Sequence, residues 1–258
     1  MESDAGGMKN QISAALISVV LACAITPGRA EDNSVQSPVL PVVELFTSQS
    51  CSSCPPAEAY FRSLASRDDI VVMEWHVDYW NGLKVRGAGA WRDPFSDAAF
   101  TERQRRYNAV LRKTNNVYTP QAVIAGQFET VGSRTGQIDN YINRIDRQDA
   151  SFISFEKTDG VASVILPDGL LSEGDEMRLV TFHKRAETKV AGGENSGLQL
   201  AEAHVVHTDE GLEAEADGIV RFEPPENGSG CAIVIVDKAG LARRAAYCPS
   251  FTSHRAPA

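Results

Sequence analysis

The chain has 258 residues, 43% of them hydrophobic, with 34 acidic against 25 basic side chains and a net charge of −9. An acidic surface with no basic stripe argues against nucleic acid and anionic membranes as partners. The length suits one large domain or two small ones.

Lys9 precedes an apolar, small-residue stretch over residues 12–25, which Pro27 breaks before Gly28-Arg29-Ala30. A basic n-region, an apolar segment too short to span a bilayer and a small-residue cleavage site predict a signal peptide over residues 1–30. The mature protein is therefore expected in the periplasm or secreted. Val20-Leu21-Ala22-Cys23 offers a second reading, a lipoprotein box that acylates Cys23; without it the mature form has no membrane contact. The leader holds two acids and two bases, so its loss leaves the net charge unchanged. Four cysteines remain, Cys51, Cys54, Cys231 and Cys248, an even number that predicts two pairs in an oxidising compartment.

Residues 42–46 form a short apolar run, the mark of a buried strand. After Cys51-Ser52-Ser53-Cys54-Pro55-Pro56, the positions of Ala57, Tyr60, Phe61 and Leu64 predict an amphipathic helix. Residues 70–77, rich in β-branched and aromatic side chains, predict a second strand, and residues 81–95 a loop. Phe100, Gln104, Tyr107 and Leu111 mark a second helix. Residues 117–125 and 128–131 read as strands joined by a type II′ turn at Gly126-Gln127, and Ile138, Tyr141, Ile142 and Ile145 as a third helix. The order strand, helix, strand, helix, strand, strand, helix is that of a thioredoxin fold, so an α/β thioredoxin-like domain is expected over residues 31–150.

From Ser151 the pattern changes to strands separated by Gly, Asp, Asn and Pro clusters: residues 152–155, 161–166, 177–182, 203–207, 219–222 and 232–236. A β-rich C-terminal domain is expected over residues 151–258.

The Cys-x-x-Cys motif carries the chemistry. It lies at or just before a helix N-terminus, whose partial positive charge favours thiolate at Cys51. Cys51 is expected to be the solvent-reachable attacking thiolate, and Cys54 the resolving thiol. A structural disulfide and half of a metal site are the alternatives. Glu44 interrupts the apolar run of its strand and is a candidate base for the resolving thiol; the alternative is a carboxylate reaching solvent or an arginine. Thr119-Pro120 opens a strand beside the cysteine rim; a cis bond there would present the Thr119 backbone to an extended substrate. His76, Asp78 and Trp80 close the second strand on the same rim, with His76 and Asp78 expected on one face, either to move protons or to join the cysteines in a soft-metal site. Cys231 and Cys248 fall opposite each other if Ala239-Gly240 is a hairpin turn, which predicts a structural disulfide.

Several stretches make the chain resemble a bacterial family, domain of unknown function 1223, whose members look like secreted proteins with a thioredoxin-like core. They are residues 42–49, 51–57, 76–80, Asp93-Pro94-Phe95, Arg103-Gln104-Arg105 with Tyr107, and 117–121, with Gly193-Glu194-Asn195-Ser196-Gly197 and Val205-Val206 further on. Ser50 stands where the family has glycine, Asn81 where it has aspartate, and the loop over residues 84–90 is longer. The resemblance implies the fold and the thiol site and brings no substrate.

The resulting expectation is an extracytoplasmic thiol–disulfide oxidoreductase, with Cys51, Cys54 and Glu44 catalytic and Thr119, Pro120, His76, Asp78 and Trp80 binding substrate. Its partners are a protein thiol or disulfide and a redox partner, and it uses no cofactor or resident metal. The alternatives are a soft-metal (copper-type) binding protein and a non-catalytic structural module.

Overall fold

The computed structural model describes Met1 and residues 34–147, 151–215, 219–226 and 228–250. The expected signal peptide, with Cys23, lies apart from Met1 outside the described residues. The described chain begins with strands β1 (Val35–Pro38) and β2 (Leu40–Thr47), then helix α1 (Pro55–Leu64), β3 (Val71–His76) and α2 (Ala98–Leu111). Next come the hairpin β4 (Gln121–Ile124) and β5 (Phe128–Val131) and helix α3 (Thr135–Arg144). Strands β6 (Phe152–Thr158), β7 (Val161–Ile165), β8 (Glu176–Lys189), β9 (Gln199–Leu212), β10 (Val220–Phe222), β11 (Ser229–Val236) and β12 (Ala242–Tyr247) follow.

The strands form two sheets. One has the order β1-β6-β7-β10, the other β12-β11-β8-β9-β3-β2-β4-β5, and β12 also pairs with β2, so the second sheet closes on itself. The expected α/β thioredoxin-like fold followed by a separate β-rich unit is therefore corrected. Strand β9 pairs with β3 at Glu74↔Val205, and β12 pairs with β2 at Ala245↔Leu40. The later strands thus complete the same sheet as the first ones, and the architecture is β-rich. Periodicity identifies a strand but not the edge it pairs with, and β3 offered an edge that the sequence alone did not show to be taken. The strands and helices named above all belong to one compact unit that begins at Asn33.

Alternation along β2 and β3 sorts side chains onto two faces. Val43, Leu45 and Val72 pack with Ala57, Phe61 and Leu64 of α1 and with Ile138 and Ile142 of α3. Val42, Phe46, Met73 and Trp75 point the other way, toward Phe100 and Tyr107 of α2 and the inward residues of β8, β11 and β12. A third core joins Ile153, Phe155 and Val164 of the small sheet to Met177, Leu179, Ile233 and Ile235.

Two turns refine the sequence reading. The β4–β5 turn is centred on Ala125-Gly126 rather than Gly126-Gln127: both have positive φ, 48° and 57°, and Gln127 N–H donates to Ile124 O at 3.0 Å. Two left-handed central residues are the mark of a type I′ turn. Gly126 is required for space as well, because a Cβ there would lie 2.9 Å from Ala242 O. In the β11–β12 hairpin Ala232 pairs with Tyr247, which brings Cys231 and Cys248 level, and they form a disulfide with Cα atoms 5.3 Å apart.

Candidate functional site

Helix α1 starts immediately after the Cys-x-x-Cys loop. Cys54 is its N-cap with helical dihedrals, Pro55 and Pro56 occupy the first turn, and the amides of Ala57 and Glu58 donate to Cys54 O at 2.8 and 3.1 Å. Prolines are tolerated there because the first helical amides have no internal acceptor. Cys54 N–H donates to Cys51 O at 3.1 Å, and the two sulfurs are joined in a disulfide with Cα atoms 5.4 Å apart.

Both cysteines are fully buried, so the expected solvent-reachable Cys51 is corrected. The loop between β8 and β9 covers them. The Asn195 side-chain amide donates to Gln49 O at 3.1 Å and to Cys51 O at 2.9 Å, while Glu194 accepts from Ser52 N–H at 2.9 Å. A Cβ on Gly192 would lie 2.3 Å from Ala90 O, so the 81–95 loop and the β8–β9 loop touch backbone to backbone. Trp91 donates to Gln49 Oε1 at 3.2 Å from the same side.

Under the cysteines lies a buried cluster of titratable groups on the α1 side of the sheet. His76 Nδ1–H donates to Asp93 Oδ2 at 2.7 Å, and its Nε2 faces Glu202 Oε1 at 3.6 Å. Thr47 Oγ1 donates to Glu58 Oε1 at 2.6 Å. Gln49 links the parts: its N–H donates to Asp93 Oδ2 at 2.8 Å and its Nε2 to Glu202 Oε2 at 3.0 Å. Glu74 of β3 completes the cluster, fully buried beside Glu58 and Glu202.

The electrostatics follow from burial and crowding. Burial, then repulsion from Glu202, pushes Glu58 up from 4.5 to about 7. Burial and the neighbouring Glu58 and Glu202 push Glu74 well above the carboxylate range. Burial also raises Glu202, against the opposing pull of His76 and Gln49. For His76, burial works against the charged form, but Asp93 and Glu202 more than offset it and the imidazole rises to about 10. Burial works against Asp93 too, yet the His76 charge and hydrogen bonds from His76, Gln49 and Phe95 hold it below the ordinary value. The cluster therefore pairs the His76 cation with ionised Asp93, beside glutamates that burial and mutual repulsion raise, Glu58 to about 7.

The remaining expected residues divide. Glu44 is tied on the opposite face of the sheet: Arg103 donates to Glu44 Oε1 from Nε at 2.9 Å and Nη2 at 2.8 Å, and the Tyr107 hydroxyl donates to Glu44 Oε2. This is the arginine alternative, because residue 44 alternates away from α1 and its cysteine. Asp78 is not with His76. The strand ends at His76, and Asp78 accepts from Thr101 Oγ1 of α2 at 2.6 Å. Trp80 and Thr119 do meet, Nε1 donating to Oγ1 at 2.7 Å. The Thr119–Pro120 bond is cis. Pro120 is near the start of α1: a Cβ on Gly132 would touch both Pro120 Cβ, at 3.0 Å, and Ala57 Cβ, at 3.2 Å.

Glu58, Gln49, Asp93, Asn195 and Glu202 were missed as site residues. Glu58 carried a signal, an acid three residues before Phe61 on the apolar stripe of α1. Gln49, Asp93 and Asn195 lie inside the stretches shared with the family. Glu202 gave no signal, because its position depends on how β9 pairs. A cleft of about 1110 Å³ lies elsewhere, lined by Cys231, Cys248, His204 and Tyr247. Among the described residues, no group of three or more His, Cys, Asp and Glu side chains could hold a metal ion.

Fold and site define a β-rich protein whose Cys-x-x-Cys disulfide is seated on a buried acid–imidazole cluster. Residues 42–236 match the family described as protein of unknown function (DUF1223), and the chain belongs to that family. It is similar to a protein from Agrobacterium tumefaciens known from an X-ray crystal structure. The two share 26% identity, over 80% of this chain and 90% of that one, with a TM-score of 0.60. HBP35 of Porphyromonas gingivalis is alike in fold alone, at 10% identity over 85% of this chain and 79% of that one, with a TM-score of 0.50. No curated protein matches the chain.

Proposed function

We propose that the protein is an extracytoplasmic thiol–disulfide oxidoreductase that exchanges its Cys51–Cys54 disulfide with a protein substrate. The observation that carries this reading is the position of the pair, closed as a disulfide at the N-terminus of α1 with Cys54 as the N-cap. The helix terminus favours the thiolate form of a cysteine placed there. A substrate disulfide attacked by Cys51 gives a mixed disulfide. Attack by Cys54 then closes Cys51–Cys54 and expels the second substrate sulfur as thiolate; the reverse sequence oxidises a substrate dithiol. The second pair, Cys231 and Cys248, acts as a staple. The leader and the even cysteine count support periplasmic or secreted placement.

The test is trapping. Cys54→Ser in cells should accumulate mixed disulfides that a thiol reductant releases, while Cys51→Ser should not. If neither variant forms any adduct, the exchange reading fails and the structural-module reading takes its place.

A further inference from the structure

We infer that Glu58 is the proton acceptor and donor for Cys54 during exchange, with Glu202 and the His76–Asp93 pair as positioning residues for it. The inference rests on the exchange reading above and assigns the acid–base role to a residue other than Glu44.

Geometry carries the assignment. Cys54 has helical dihedrals, and Glu58 N–H donates to its carbonyl, so the two residues stand one turn apart on the same helix face. Side chains at that spacing are neighbours, about 5–6 Å between Cβ atoms. Both are buried, so bulk water does not compete for the proton. Glu44 sits across the sheet, engaged by Arg103 and Tyr107. His76 already holds its proton against Asp93 and keeps it up to about pH 10, which leaves it a fixed cation at neutral pH. Glu74 and Glu202 face Glu58 from β3 and β9 and are not on the helix that carries Cys54; Glu202 accepts from Gln49 at Oε2.

The groups that face Glu58 come from every element packed on it. They are Thr47 of β2, Glu74 and His76 of β3, Asp93 of the 81–95 loop and Glu202 of β9. Together they leave Glu58 divided between its two forms around neutral pH, where a proton can pass in either direction. In the closing step the Cys54 thiol gives its proton to the Glu58 carboxylate as its sulfur attacks Cys51 Sγ in the mixed disulfide. The Cys51–Cys54 bond forms, the Cys51–substrate bond breaks, and the electron pair leaves on the substrate sulfur. The protein dithiol is oxidised and the substrate disulfide reduced. In the opening step the expelled Cys54 thiolate takes the proton back from neutral Glu58.

The experiment uses the full-length reduced protein and a bis-nitrobenzoate disulfide as probe, with Cys231–Cys248 left intact. Attack by Cys51 releases one coloured thiolate and attack by Cys54 a second, so the two steps are read separately. In the wild type the rate of the second release should show an inflection near pH 7. Glu58→Gln should abolish that inflection and slow the second release relative to the first by about a hundred-fold, the low side of general acid–base contributions. Glu202→Gln, which keeps the Glu58 carboxyl, should move the inflection to lower pH by removing a repelling charge. That shift remains readable if Glu58→Gln does not fold, and a merely structural role would not produce it. Equal ratios of the two releases in wild type and Glu58→Gln at every pH, or an inflection unmoved by Glu202→Gln, overturn the inference and leave exchange standing. A wild type that gives no second release overturns the exchange reading and the inference with it.

Discussion

Asn195 donates its side-chain amide to the carbonyl of Cys51 across 144 residues of sequence, at 2.9 Å. The same amide holds Gln49 O, and the neighbouring Glu194 takes the Ser52 amide. On the exchange reading, a substrate strand would need these backbone groups, so the β8–β9 loop would have to leave before that strand reached the buried sulfurs. Removing the Asn195 bonds should make opening easier by about 1–2 kcal/mol, two ordinary hydrogen bonds less their return to water. Asn195→Ala should then be reduced by a small dithiol roughly ten-fold faster than the wild type. Equal reduction rates would show that the loop does not limit access.

The Glu44–Arg103 pair is expected to matter for stability rather than exchange. Arg103 lies between Glu44 and Asp209 with its guanidinium 4.2 Å from the Trp75 ring centroid, so it links β2, α2 and β9. Removing one partner of a buried ion pair leaves the other charge uncompensated, at a cost of about 3–5 kcal/mol. Arg103→Ala should lower the urea midpoint accordingly, and Glu44→Gln by less, since the amide keeps a hydrogen bond to Tyr107. If Glu44→Gln instead slows the second release of probe without loss of stability, the base assignment returns to Glu44.

The sequence made the local features legible and left the long-range ones hidden. The apolar stripe Ala57, Phe61, Leu64 located α1, and counting outward from Ala239-Gly240 put Cys231 opposite Cys248. Both depend on spacing within a few residues or one hairpin. The fold class depended on which edges β9 and β12 would join, and nothing in their alternation specifies β3 or β2 as neighbour. For the same reason Glu202 was not legible, since one β9–β3 pairing places it beside His76. Glu44 misled because alternation puts it inside the protein without revealing that Arg103 waits on that face.

The Cys231–Cys248 disulfide closes a loop with a sequence separation of 17. On the chain-entropy model such a loop stabilises by about 3 kcal/mol. The double substitution Cys231→Ser, Cys248→Ser should lower thermal stability by that amount while both probe releases at Cys51 and Cys54 persist. Loss of exchange in a folded double variant would give the second pair a redox role.

The buried cluster fixes how stability changes with pH. Glu58 binds its proton more tightly folded than unfolded, with its value raised from 4.5 to about 7. Between those values the unfolded chain has released a proton that the native state keeps, so stability falls as pH rises through that window. Glu74 and Glu202, raised for the same reason of burial, add to the fall. His76 behaves in the same direction: its contribution is complete below 6.5 and is lost as pH climbs toward about 10. Asp93 opposes them on the acid side. Its value is lowered from 3.8, so its contribution is present above that pH and lost as pH falls through the folded value. Stability should therefore peak between about pH 4 and 5 and decline steadily to about pH 10. Glu58→Gln should flatten the first part of the decline, up to about pH 7, and leave the His76 part in place. Urea unfolding of the oxidised wild type and the variant across this range checks both limbs. A wild-type midpoint that rises between pH 5 and pH 7 would mean that Glu58 is ionised in the folded protein, with its negative charge stabilised by His76.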